Sequence, residues 1–278
     1  MIFTKYTKES ERVEDNKKYI IIGVVAVIIF AIFVAVILSD TDKKEEKNES
    51  KSSVNSITNT VTEENNEENF DYETAAKEQM LPPKTGETIA TMHVKNYGDI
   101  TFKFFEDKAP KAVENFLTHA KDGYYNGVKF HRVMEEFMIQ GGDPEGTGRG
   151  GESIWGKGFE EEIDQGLVPY RGALCMASSG YGKSSLGSQF FIVQANSNET
   201  MANTLSLNGF PEGLVNSYLN YGGYLTLYKQ YTVFGQVVEG MDVVDKIAKT
   251  AKTMSDSGEL SKPVEDVIIE SIDVNVKE

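Results

Sequence analysis

The chain has one cysteine, Cys175, and three histidines, His93, His119 and His131, in 278 residues. A lone cysteine excludes an intramolecular disulfide, so the folded part must be held by packing. Histidines this scattered, with no cysteine beside them, give no ligand cluster, and no metal is expected. Basic excess is lacking too: the formal net charge is −15, and no stripe of lysine and arginine interleaved with aromatics appears, which speaks against a nucleic-acid partner. The serines lack the strand-to-helix elbow and partnered histidine of a hydrolase.

Two glycine-containing stretches have the spacing of nucleotide loops without their context. Gly146-Thr147-Gly148-Arg149-Gly150-Gly151 fits G-x-G-x-x-G, but Glu152 to Gly156 does not open a helix whose amino terminus would face a pyrophosphate. Gly182-Lys183-Ser184 resembles the end of a phosphate loop, yet Ala177 stands where its first glycine is required. Neither hydrolytic nor redox chemistry is indicated, and no cofactor is expected.

What is present is unevenly distributed. Tyr19 to Leu38 reads YIIIGVVAVIIFAIFVAVIL, an uncharged run of about the 20 residues needed to cross a bilayer as a helix. It is longer than the apolar region of a cleaved signal peptide, and Val36-Ile37-Leu38-Ser39 is a poor cleavage site, so it is expected to remain as an anchor. Lys17 and Lys18 on the amino side, against Asp40 and Asp42 beyond, favour a cytoplasmic segment 1–18 and an extracytoplasmic remainder. Lys43, Lys44, Glu14 and Asp15 weaken that bias. The expected location is the cell membrane, crossed once. Residues 39–84, rich in Glu, Asn, Ser, Thr and Lys, have too few apolar side chains to form a core and are expected to be a flexible tether with a reach of roughly 35 Å or more.

From Thr85 the pattern changes to that of a folded domain, 85–278. Strands are predicted at 89–94, 100–105, 128–134, 137–140, 172–176, 189–193, 232–238 and 267–276, with a tight hairpin at Asn96-Tyr97-Gly98-Asp99. Helices are predicted at 110–121, with proline in its first turn and Gly123 as its stop, and at 241–251. His119 falls in the first of these and is assigned to packing or surface. Many short strands with two helices predict a closed β-barrel capped by helices. An insertion at 196–229 holds a short helix near 211–219 and is expected on the surface near the active face.

The most informative stretch runs from Phe130-His131-Arg132 through Phe137-Met138-Ile139-Gln140 to Gly141-Gly142-Asp143-Pro144. Two short β-type runs flank Glu135-Glu136, so Arg132, Phe137, Met138 and Gln140 converge on one surface, a setting for an apolar substrate beside a fixed cation. This segment, with Gly187-Ser188-Gln189-Phe190-Phe191-Ile192 downstream, resembles the two signatures of cyclophilin-type peptidyl-prolyl isomerases.

The resemblance implies a mainly β fold, an eight-stranded antiparallel barrel over nearly all of 85–278, and an enzyme that speeds X-Pro isomerisation in exported or cell-surface proteins. It implies Arg132 as the catalytic cation, and Phe137, Met138, Phe191 and Leu227 as the lining of a proline pocket. Gln140 and Gln189 would orient the arginine or the substrate backbone, and Ala177 and Ser178 would border the groove before the proline. His131 belongs to the motif and is assigned mainly to packing. The chain departs from the family pattern at Thr226, where many members carry tryptophan, at Tyr228-Lys229 in place of an Asp-Gly turn, and at Tyr231 in place of histidine. The resemblance admits cyclosporin as a ligand, and these departures weigh against it. A proline-peptide binding module or a scaffold with little turnover is the alternative.

Overall fold

The structure is a computed structural model that describes residues 70–178 and 184–278. The expected segment 1–18, the anchor 19–38, the first part of the tether and Gly182-Lys183 lie outside the described residues. Among the described residues no helix is long and apolar enough to cross a membrane.

Eight strands form one sheet in the order β10-β1-β2-β7-β5-β6-β4-β3: β1 Thr88–Val94, β2 Gly98–Phe104, β3 Arg132–Met134, β4 Met138–Gly141, β5 Ala173–Ser178, β6 Leu186–Val193, β7 Val233–Glu239 and β10 Ile269–Val276. Every pairing is antiparallel. The β1–β2 hairpin turns where predicted, with Asn96 at φ +66° and Gly98 at φ +121°. A second, two-stranded sheet joins β8 Lys252–Met254 to β9 Leu260–Pro263 and was not predicted.

The closed barrel is corrected to a curled, open sheet, because its edge strands β10 and β3 are not paired with each other. Among the described residues the backbone hydrogen bonds between the two ends come from the residues before β3, where Phe130 N–H donates to Val267 O at 2.9 Å and Ile269 N–H to Val128 O at 2.8 Å. Beyond that point the chain is only three residues of strand, and the β8–β9 hairpin lies against it instead.

The predicted helices appear as α2 Pro110–Lys121 and α5 Met241–Ala248. In α2 proline occupies the first turn, and the Glu162 carboxylate accepts from the backbone N–H groups of Lys111 and Ala112 at 3.1 and 2.9 Å, filling the place of a local side-chain cap. Ala112, Val113, Phe116 and Leu117 from α2, with Val244 and Ile247 from α5, enter the main core. At its centre Phe116 meets Tyr125, Phe190 and Phe234 at ring distances of 5.2, 5.4 and 5.5 Å.

The boundary of the tether is also corrected, since residues 72–80 form helix α1, Tyr72–Met80, within the segment expected to be flexible. Asp71 caps it by accepting from Thr74 N–H and hydroxyl at 2.9 and 2.7 Å. Tyr72, Ala76 and Met80, spaced one turn apart, supply an apolar edge. The insertion carries α3 Glu199–Leu207, α4 Glu212–Tyr221 and a short 3-10 turn, Leu225–Leu227. Tyr72 and Ala76 pack with Ala202, Leu205, Leu214, Val215 and Tyr218 in a second core, so α1, α3 and α4 make a helical annex beside the sheet.

Candidate active site

Strand alternation sorts β3 to β6 into two faces. Val133, Ile139, Ile192 and Leu174 point into the main core, while their neighbours Met138, Phe191, Val193 and Cys175 form a separate cluster. The register aligns Arg132 with Gln140, Gln140 with Phe191, and Phe191 with Cys175. Paired residues share a face, so one row across four strands runs from a cation through an amide to buried apolar groups.

Arg132 ends that row, its side chain 34% exposed. Its Nε and Nη2 donate to the Glu259 carboxylate at 2.6 and 2.8 Å, and its Nη1 donates to Gln140 Oε1 at 3.5 Å. The guanidinium carbon stands 5.5 Å from the centre of the Phe137 ring, a distance at which cation and ring attract. Gln140 in turn donates to Gln189 Oε1 at 3.0 Å, and Gln189 donates to Gly150 O at 2.8 Å. The two glutamines therefore tie the cation to the glycine loop.

Beside the cation, Met138 and Phe191 are buried, and Phe137, Ala177, Leu227 and Tyr231 pack partly buried against the same cluster. Tyr231 meets Phe191 edge-on at 5.4 Å, and Leu227 is carried by the 3-10 turn. Ser178 lies at the end of β5, its hydroxyl 2.6 Å from that of Ser185 and 3.3 Å from Glu161 Oε1. His131 is adjacent to Arg132 in sequence but turns toward Gly148, with no hydrogen-bond partner for either ring nitrogen among the described residues. Burial pushes its imidazole below the ordinary value of 6.5.

Several residues of this face escaped the sequence. Glu259, from β8–β9, supplies the carboxylate on Arg132, and the hydrogen bonds from Arg132 hold its carboxyl below the ordinary 4.5 against the effect of burial. Tyr224 meets Phe137 at a tilt, ring centres 4.5 Å apart, and Met134 Sδ lies 3.4 Å from Arg132 Nη2. Met134 was findable, since it lies two residues beyond Arg132 on the same strand face. Glu259 has no such local signal.

The rejected glycine loop has an occupant of its own. The buried Asp143 carboxylate accepts from the N–H groups of Glu145, Thr147, Gly148 and Gly150 at 2.9, 2.9, 2.7 and 3.2 Å. Burial would raise its pKa, yet these donors hold it below 3.8. The amides that a phosphate would need are thus committed to a side chain of the loop itself. Among the described residues no group of His, Cys, Asp and Glu has the arrangement to hold a metal.

Comparison with known proteins converges on one family. The model for cyclophilin-type peptidyl-prolyl cis-trans isomerases matches residues 89–274. A protein of Staphylococcus haemolyticus, named by inference a peptidyl-prolyl cis-trans isomerase, is 50% identical over 192 residues, covering 69% of this chain and 93% of its own. One from Staphylococcus saprophyticus, named in the same way, is 48% identical over 190 residues, covering 68% and 93%. Among solved structures, a Cryptosporidium parvum cyclophilin-type isomerase is 32% identical with a TM-score of 0.55, covering 69% of this chain and 99% of that one. The same protein, crystallised in the presence of the dipeptide Ala-Pro, gives a TM-score of 0.54 at 32% identity, with 68% and 99% covered. The row from Arg132 to Cys175 lies inside the matched span, and the chain belongs to the cyclophilin-type peptidyl-prolyl cis-trans isomerases.

Proposed function

We propose that this isomerase acts at the face that joins Arg132 to Phe137, Met138, Phe191 and Leu227, on proline-containing stretches of polypeptide, and that it works on exported proteins from a membrane-tethered position. Rotation about an X-Pro bond is slow because amide resonance opposes it, with a barrier of about 18–20 kcal/mol. Lowering that barrier requires neither nucleophile nor metal. The apolar cluster would take the proline ring, and a guanidinium N–H would interact with the twisted amide more strongly than with the planar one. Ala177 and Ser178 would border the path of the residues before the proline.

The observation that carries the reading is the fixed guanidinium, 5.5 Å from the centre of the Phe137 ring and held by Glu259 and Gln140 at the rim of the Met138–Phe191 cluster. The uncharged run Tyr19 to Leu38 and the charge pattern around it support the tethered location. The full chain is expected to accelerate cis-to-trans conversion of an Ala-Pro peptide in a protease-coupled assay; no acceleration would overturn the reading. For the location, protease added to intact cells should remove the domain, and full protection would place it inside.

A further inference from the structure

The carboxylate on the proposed catalytic cation comes from neither family signature but from the β8–β9 hairpin. A guanidinium has five N–H donors. In this structure Nε–H goes to Glu259 Oε2, one Nη2–H to Glu259 Oε1, the other to Met134 Sδ, and one Nη1–H to Gln140 Oε1. Among the described residues one Nη1–H is left over. Glu259 thus binds the guanidinium side-on, through the edge away from Nη1, and a bidentate pair fixes the plane as well as the position of an arginine.

The hairpin is itself built to present Glu259. Ser255 opens a turn closed by Gly258 at φ +81°, with Gly258 N–H donating to Ser255 O at 2.9 Å. Ser255 N–H donates to Glu259 O at 2.8 Å, and Glu259 N–H donates to Ser255 Oγ at 3.3 Å. The backbone of Glu259 is therefore fixed on both sides before its side chain reaches Arg132.

We infer that Glu259 is a positioning residue for the isomerase reaction, clamping the Nε–Nη2 edge of Arg132 so that the Nη1 edge is left to meet the substrate amide. The inference rests on the reading of Arg132 as the catalytic cation. An inhibitory carboxylate would instead sit on the Nη1 side, and the placement of Glu259 on the Nε–Nη2 edge separates the two cases. The carboxylate also offsets the cation's charge, so the pair acts through a directed N–H more than through a net positive field.

The test compares the full chain with Glu259→Gln, Glu259→Asp and Arg132→Ala, measuring catalysed exchange of an Ala-Pro peptide by NMR over a range of peptide concentrations. Glutamine is nearly isosteric at this partly buried site, and aspartate keeps the charge without the reach. Both substitutions at Glu259 should lower kcat by between about tenfold and a hundredfold, with KM within about twofold. The Arg132 Nε–H resonance should lose its position in both variants. A kcat unchanged or raised in Glu259→Gln would overturn the inference, as would full activity in Glu259→Asp. If Arg132→Ala abolishes exchange while the Glu259 variants do not alter it, only the positioning role fails; if Arg132→Ala is fully active, the catalytic reading fails with it.

Discussion

The signature face of the sheet and the helical annex are both held by buried apolar side chains, yet they distribute their polar groups in opposite ways. On the signature face a row of polar atoms is left at the rim, with Arg132 and Glu259 about one-third exposed and a glutamine pair linking them to a loop. In the annex the polar atoms are turned inward to join helices to the sheet. Gln79 of α1 is almost fully buried and donates to Val168 O at 2.8 Å and Gln236 Oε1 at 3.2 Å, while Val168 N–H donates to it at 3.0 Å. Polar groups at a rim remain available to a ligand, whereas buried ones stabilise only by being satisfied. The contrast supports the proposal that places the chemistry on one region and leaves support to the other.

The comparison is broken most easily in the annex core. Leu214 is fully buried there, and Leu214→Ala is expected to cost about 2–5 kcal/mol in denaturant titration while kcat/KM per folded molecule stays within about twofold. A large loss of kcat/KM in the folded fraction would place the annex in the chemistry. A smaller effect is expected from Gln79→Ala, at about 1–3 kcal/mol, because it leaves the Val168 N–H without its acceptor while Val168 O still accepts from Tyr170 N–H at 2.7 Å. Faster hydrogen exchange at the Val168 amide would accompany it, and an unchanged exchange rate would contradict the anchoring role.

The smallest effect lies on β1, between β10 and β2. Protonated His93 donates from Nδ1 to the Asp99 carboxylate at 2.8 Å and from Nε2 to that of Asp273 at 3.2 Å, and its pKa is raised above 6.5, chiefly by the Asp99 bond, with burial opposing and Asp273 assisting. Because the folded state holds the proton more tightly, this stabilisation is complete below 6.5 and is lost as pH rises through the raised value. The site is largely open to solvent, so the contribution is a few tenths of a kcal/mol at most. In His93→Ala the fall in melting temperature between about pH 5 and about pH 9 should become shallower; an unchanged slope would assign it to other groups.

Legibility in the sequence follows the range of the interactions. Strands β1 and β2 and the first half of β6 alternate buried and less buried residues, while β5 and β7 are short continuous buried runs, and short-range pattern found both kinds. The signature residues converged because β3, β4 and β6 pair in a register that alternation alone preserves. Closure of the sheet was overestimated, since alternation within a strand carries no information about what pairs with its free edge. Helix α1 was missed because Tyr72, Ala76 and Met80 are embedded in a polar run and acquire a core only from α3 and α4. Strands β8 and β9 are short, with Met254 and Leu260 each 57% exposed, so no apolar period marks them. Glu259 reaches Arg132 across 127 residues of sequence, a separation at which a single glutamate gives no sign of its partner.

The claim on which everything else depends is that the Arg132 guanidinium lowers the barrier to rotation while contributing little to the fold. Exchange between cis and trans forms of an Ala-Pro peptide, followed by NMR with the full chain and its Arg132→Ala variant, tests it directly. Catalysed exchange should fall by a factor on the order of a hundred or more, with the melting temperature within a few degrees of the unsubstituted chain. Exchange within about twofold of the unsubstituted chain, in a variant that remains folded, would contradict the account.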